Sequence, residues 1–170
     1  MQEEAPLTNL CSSGGRTYMA TESIAPQIDP EILEFIKTNK VASICCSTEN
    51  KPYCFSCFYS FLEAEQCIIF KSMPDTRHIA IATENNAVAG TVISQEISMT
   101  KVTGIQFEGI LIENGDVGGK ASRCYYLRYP FAMGVPGKLW VIVLHSIKYT
   151  NTVNGVKHKK EWHADGLLAG

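Results

Sequence analysis

No apolar run in this chain is long enough to span a bilayer as a helix. Neither sign of charge dominates, since 15 Lys and Arg face 17 Asp and Glu for a net charge of −2. The broad basic footprint of a nucleic-acid binder is therefore missing, although a local cationic pocket is still compatible with this balance. Histidine is scarce, with four residues, and their spacings do not read as a zinc site, so no metal is expected. The opening Met1-Gln-Glu-Glu-Ala-Pro has neither the basic nor the apolar segment of a signal peptide. The seven cysteines are an odd number, which argues against a secreted disulfide framework. Most of them sit in apolar strand-like runs, where a thiol behaves as a small hydrophobe. A reducing cytoplasm is the compartment this pattern suggests. Cys54-Phe-Ser-Cys57 has redox spacing, but it lies in a strand-like run. Residues three apart on a strand face opposite sides, so the pair is not expected to close.

What is present reads as one globular domain, 45% hydrophobic and 19% charged over 170 residues. Residues 1–27 show no periodicity and read as an arm or tail; residues 28–170 form the domain. The clearest helix runs from Asp29 to Asn39. Asp29 caps it, Pro30 takes the first helical position, and Ile32, Leu33, Phe35 and Ile36 make an apolar face suited to covering a sheet opening. Strands follow at 41–47, 53–61, 66–71 and 87–93. A long one spans Lys101 to Glu113, with Gly104 and Gly109 as candidate bulges or close approaches. Asn114-Gly115 is a turn signal. A helix from Ala121 to Tyr129 ends at Pro130, a long strand starts at Lys138, and residues 156–163 return as a short basic strand. His145 reads as a sheet residue, and His158 and His163 as solvated. Consecutive hairpins of glycine-bent strands suggest a small antiparallel barrel.

The segment from Cys67 to Ile93 organises the chain. It reads as strand, turn, helix, strand, with Asp75 as the N-cap of a helix over 76–83. That places a helix N-terminus, with its free N–H groups and positive partial charge, beside Lys71, Ser72, Thr76, Arg77 and His78. Two cations and two hydroxyls there suit a phosphate. The alternative is a solvated helix start whose basic residues pair with Asp75 or Glu84.

The words Phe70-Lys-Ser, Thr76-Arg-His, Asn86-Ala-Val-Ala-Gly-Thr-Val92 and Gly104-Ile-Gln-Phe-Glu-Gly109, in this order, carry a resemblance. The chain resembles the FMN-binding split-barrel superfamily of pyridoxamine 5′-phosphate oxidase-like proteins, over the elements from Asp29 to about Trp162. The resemblance implies a mainly β fold: a six-stranded antiparallel split barrel with Greek-key elements and two or three short flanking helices. It also implies a homodimer with FMN at the subunit interface. Carried over by residue, it places the flavin phosphate on Lys71, Ser72, Thr76 and Arg77, with His78 adjacent. The ring would lie against the strand ending at Phe70 and near Phe55, Ser56 and Phe58. Gln106, Trp140 and Lys138 would reach the ring from the partner subunit.

The implied activity is a flavin-dependent oxidoreductase with a small-molecule redox partner, NAD(P)H among the candidates. No residue reads as a general acid or base, so no catalytic residue is assigned. The alternatives are a non-catalytic flavin carrier or sensor, and a cleft holding deazaflavin or haem. The arginine and histidine pair that holds substrate phosphate in true pyridoxamine phosphate oxidases has no match near His158-Lys-Lys160 and Trp162. Vitamin B6 oxidation is therefore not expected.

Overall fold

The computed structural model describes residues 26–95, 101–112 and 119–164. The Asn114-Gly115 turn and nearly all of the N-terminal arm lie outside them. The elements are α1 (Pro30–Thr38), β1 (Val41–Thr48), β2 (Lys51–Leu62), β3 (Cys67–Ser72), α2 (Arg77–Glu84), β4 (Ala87–Ile93), β5 (Lys101–Ile112), α3 (Lys120–Arg128), β6 (Lys138–Val153) and β7 (Val156–His163).

Helix α1 starts as its sequence dictates. Asp29 Oδ1 accepts the Glu31 N–H at 2.9 Å, Pro30 follows, and Ile32 and Ile36 are fully buried. The expected loop from Thr48 to Pro52 shrinks to two residues. Glu49 and Asn50 both adopt positive φ, 49° and 60°, which is the mirror-image turn that suits a twisted hairpin. That turn opposes Ser43 to Ser56 and Cys45 to Cys54. Cys45 and Cys54 are joined by a disulfide. Cys57 is a free thiol, half-buried, so the Cys54-x-x-Cys57 pair indeed stays open.

The strand order is β3-β2-β1-β4-β5-β6-β7, and every pairing is antiparallel. Three hairpin-linked strands with β4 returning beside β1 make a Greek key. The first part of β6 pairs with β3 and closes a ring of six strands. The second part carries β7, from Ser146↔His163 to Val153↔Val156. The sheet therefore has seven strands, one more than expected, because β6 is long enough to serve two neighbours in succession.

Two local expectations are corrected. Helix α2 begins at Arg77 with Thr76 at the N-cap, so Asp75 is not the cap. The bulge in β5 falls at Glu108/Gly109, and Gly104 pairs regularly. At Gly109 a Cβ would sit 2.4 Å from the Val143 carbonyl oxygen, so only glycine lets β5 and β6 approach.

Two cores result. Phe70, Phe107, Tyr59, Ile105 and Trp140 fill the barrel under α1 and α2. Cys67, Ile69, Tyr125, Tyr129 and Ala132 form a second layer under α3. Strand β3 lies between the two, which is why Cys67-Ile-Ile-Phe70 is apolar without alternation.

Candidate functional site

The end of β3 and the start of α2 bring three polar side chains together. Ser72 Oγ lies 2.7 Å from His78 Nε2 and 3.3 Å from Thr76 Oγ1, and Thr76 Oγ1 lies 3.2 Å from the same nitrogen. Thr76 also donates to the Met73 carbonyl at 2.9 Å, which fixes the turn. The His78 ring stacks on Phe55 of β2, with centroids 3.9 Å apart and planes 19° from parallel. Phe55 in turn packs on Phe70. Burial holds His78 below its ordinary 6.5, so the imidazole is neutral at pH 7.

No side chain caps the first turn of α2, and no acidic residue lies in it. Its N–H groups therefore share the space with two hydroxyls and an imidazole. Beside them, the exposed Arg77 guanidinium sits 4.9 Å over the Tyr53 ring. Two hydroxyls, a histidine, an arginine and free helix N–H groups are the donor set a phosphate dianion takes.

The sequence-predicted residues divide. Ser72, Thr76, His78 and Phe55 meet, with Arg77 alongside. Phe70 lies beneath them in the barrel core, so only its backbone is available. Lys138 and Trp140 flank the cluster on β6, where Lys138 opposes Ser72. Trp140 is buried, and its indole donates to the Ser72 carbonyl of the same chain at 3.3 Å. It supports the cluster from within the same chain.

Lys71 leaves the cradle. It is adjacent to Ser72 on a strand, so it points to the opposite face. There its ammonium donates to the Ala132 carbonyl at 2.7 Å and to Tyr126 Oη at 3.2 Å. Ser56 and Phe58 face outward on β2: Ser56 Oγ meets Ser43 Oγ at 3.0 Å, and Phe58 stays 51% exposed. Gln106 is exposed on β5, between Thr91 and Lys148. Sequence reasoning missed Tyr53 under Arg77 and Tyr126 on Lys71. Both are aromatic residues distant in sequence, with no motif to link them to their cations.

A UPF0306 protein of Yersinia pseudotuberculosis is 33% identical over 132 residues, 77% of this chain and 90% of its own length. The chain belongs to the UPF0306 family. No family model matches it. Three solved structures share the fold of this UPF0306 chain at low identity. One is an FAD-binding protein from Mesorhizobium loti, with a TM-score of 0.60 and 15% identity, covering 76% of this chain and 99% of that one. Another is a haem-binding protein from Mycobacterium smegmatis, at 0.63 and 14%, covering 81% and 60%. The third is a Listeria innocua protein named after pyridoxamine 5′-phosphate oxidase, at 0.54 and 11%, covering 70% and 94%. The UPF0306 chain thus shares its barrel fold with these proteins.

Proposed function

We propose that this chain binds FMN and works as a flavin-dependent oxidoreductase. The observation that carries the reading is the convergence of Ser72, Thr76 and His78 at the uncapped start of α2. Ser72 donates its hydroxyl bond to the phosphate, Thr76, whose own proton goes to the Met73 carbonyl, holds the turn that presents the first-turn N–H groups, and Arg77 supplies the full charge. His78, held flat by Phe55, turns Nε2 toward the same point. Bound flavin supplies hydride acceptance and one- or two-electron transfer. The chain supplies binding and orientation, and no side chain in the cluster is assigned an acid or base step. The reductant is a nicotinamide or another small hydride donor.

The partner subunit belongs to this reading. Gln106 and the exposed Phe58 lie on the outer face of the sheet, away from their own phosphate cluster. In a homodimer they complete the ring pocket of the other copy. Haem is the poorer fit, because His78 Nε2 is already bonded to Ser72 at 2.7 Å. Axial ligation would have to break that bond.

Titration of FMN with the purified protein, followed by flavin fluorescence and the visible spectrum, tests the reading. Saturable quenching with a perturbed flavin band is expected. No change at any protein concentration overturns it.

A further inference from the structure

The Cys45–Cys54 disulfide lies on the outer face of β1 and β2, away from the His78 cluster, and the flavin reading does not use it. Four more cysteines among the described residues are free thiols. Cys46 and Cys67 are buried, and burial pushes Cys57 and Cys67 up to about 12. Cys124 Sγ is turned onto the Phe61 carbonyl at 3.5 Å. The buried thiols among the described residues stay protonated and are poor nucleophiles, and the attacking group considered is a thiol from solution.

The bond is not what holds the hairpin together. β1 and β2 pair continuously from Val41↔Phe58 to Thr48↔Lys51, and the Glu49–Asn50 turn closes them. The two cysteines are 9 residues apart, so the crosslink removes less chain entropy than one that closes a longer loop. Oxidised and reduced pairs therefore fit the same backbone.

The surroundings of Cys45 give a thiol a route. The register makes one outward row across four strands: Cys54, Cys45, Ala89, Glu108. A cleft of about 480 Å³ opens beside Cys45 over β4 and β5, lined by Ala87, Ala89, Glu108 and His145 among others. In the pairing register Cys54 and Ala89 flank Cys45 on opposite sides. A thiolate entering over Ala89 would approach Cys45 Sγ from the side away from Cys54, the approach a displacement at sulfur needs. Ala89 is small enough to leave the path open. Glu108 lies two strand spacings from Cys45, roughly 10 Å between backbones. Its carboxylate lines the same cleft and accepts a hydrogen bond from Ser146 Oγ at 3.0 Å.

We propose that the Cys45–Cys54 pair is a thiol–disulfide exchange site for a small aminothiol, whose ammonium group pairs with Glu108. The incoming thiolate bonds to Cys45 Sγ, the Cys45–Cys54 bond breaks, and Cys54 leaves as a thiolate and takes a proton from water. A second aminothiol then attacks the small-molecule sulfur of the mixed disulfide. Cys45 is released and protonated, and the two aminothiols leave as one disulfide. Two thiols are oxidised and one protein disulfide is reduced, and the reverse sequence regenerates the pair.

The test uses the purified full chain, with or without flavin, and reads alkylated thiols by mass spectrometry. Cysteamine should open the pair reversibly in the folded protein, and cystamine should close it. With Cys54→Ser, cystamine should leave a cysteamine adduct on Cys45. Ala89→Leu should slow cysteamine exchange by blocking the cleft. The rate ratio of cysteamine to 2-mercaptoethanol should fall by about two- to fivefold in Glu108→Gln, the size of one exposed ion pair. A pair that opens only in denaturant overturns the proposal. So does a rate ratio unchanged in Glu108→Gln, or exchange as fast in Ala89→Leu as in the wild type.

Discussion

The imidazole of His78 lies flat against the ring of Phe55, 3.9 Å between centroids, and this contact aims Nε2 at Ser72. Without the Phe55 ring, the imidazole loses the wall that fixes its rotation. Phe55→Ala should weaken FMN binding although Phe55 itself carries no polar group. It should also cost about 2–3 kcal/mol of stability, less than a fully buried phenylalanine, because Phe55 is only part-buried. Thermal melts alongside FMN titrations measure both effects. Full FMN affinity in a destabilised Phe55→Ala protein would show that the stack serves only the fold.

His78 also sets a pH dependence. Its folded-state pKa lies below the ordinary 6.5, because burial disfavours the cation. As pH falls, the unfolded chain takes up this proton first, so stability drops below pH 6.5 and is fully present above it. Denaturant melts at pH 7.5 and 5.5 should show a wild-type loss that His78→Gln reduces. A phosphate dianion reverses the preference, so FMN binding near pH 6 should draw a proton onto His78. Calorimetry in two buffers of different ionisation enthalpy reads that uptake directly.

Arg77 and Lys71 sit six residues apart and should behave differently. Arg77→Ala should weaken FMN binding by about 1.5–3 kcal/mol, the loss of one charge-assisted phosphate contact. Lys71→Met should leave FMN affinity unchanged. It should lower stability by about 1–2 kcal/mol, because the Ala132 carbonyl and Tyr126 lose their donor. Parallel titrations and melts of the two variants separate the cradle from the scaffold.

Arg128 ties α3 to the end of α1. Its guanidinium donates to the Lys37 carbonyl at 2.6 Å and the Asn39 carbonyl at 2.7 Å, and it lies over the rings of Tyr59 and Tyr129. Arg128→Ala should cost about 2–3 kcal/mol. Arg128→Lys should recover little of it, because an ammonium cannot span carbonyls that the planar fork reaches together. Chemical denaturation of both variants measures the difference.

Much of this fold was legible because its signals are local. Asp29 and Pro30 mark α1 with a cap and a fixed φ, and Pro130 ends α3. The apolar run at Cys67–Phe70 marks a strand covered on both faces. What escaped depends on register and facing, which hydropathy does not carry. A two-residue turn at Glu49–Asn50 opposes Cys45 to Cys54, and a loop one residue longer would have changed the partner. Lys71 was grouped with Ser72 because the two are adjacent, yet adjacency on a strand is what sends them to opposite faces. Thr76 and His78 were legible as neighbours of Ser72, and only the cap moves, from Asp75 to Thr76. Trp140 gives no sign in the sequence of its bond to the Ser72 carbonyl of the same chain.

The central claim is that Ser72, Thr76, Arg77 and His78 hold a flavin phosphate. The most direct measurement is the affinity of the purified protein for FMN against riboflavin, which differ only in that phosphate. The account predicts FMN binding about 10- to 100-fold tighter, with most of that ratio lost in Arg77→Ala. Equal affinities for the two flavins, or an FMN preference that survives in Arg77→Ala, would contradict it.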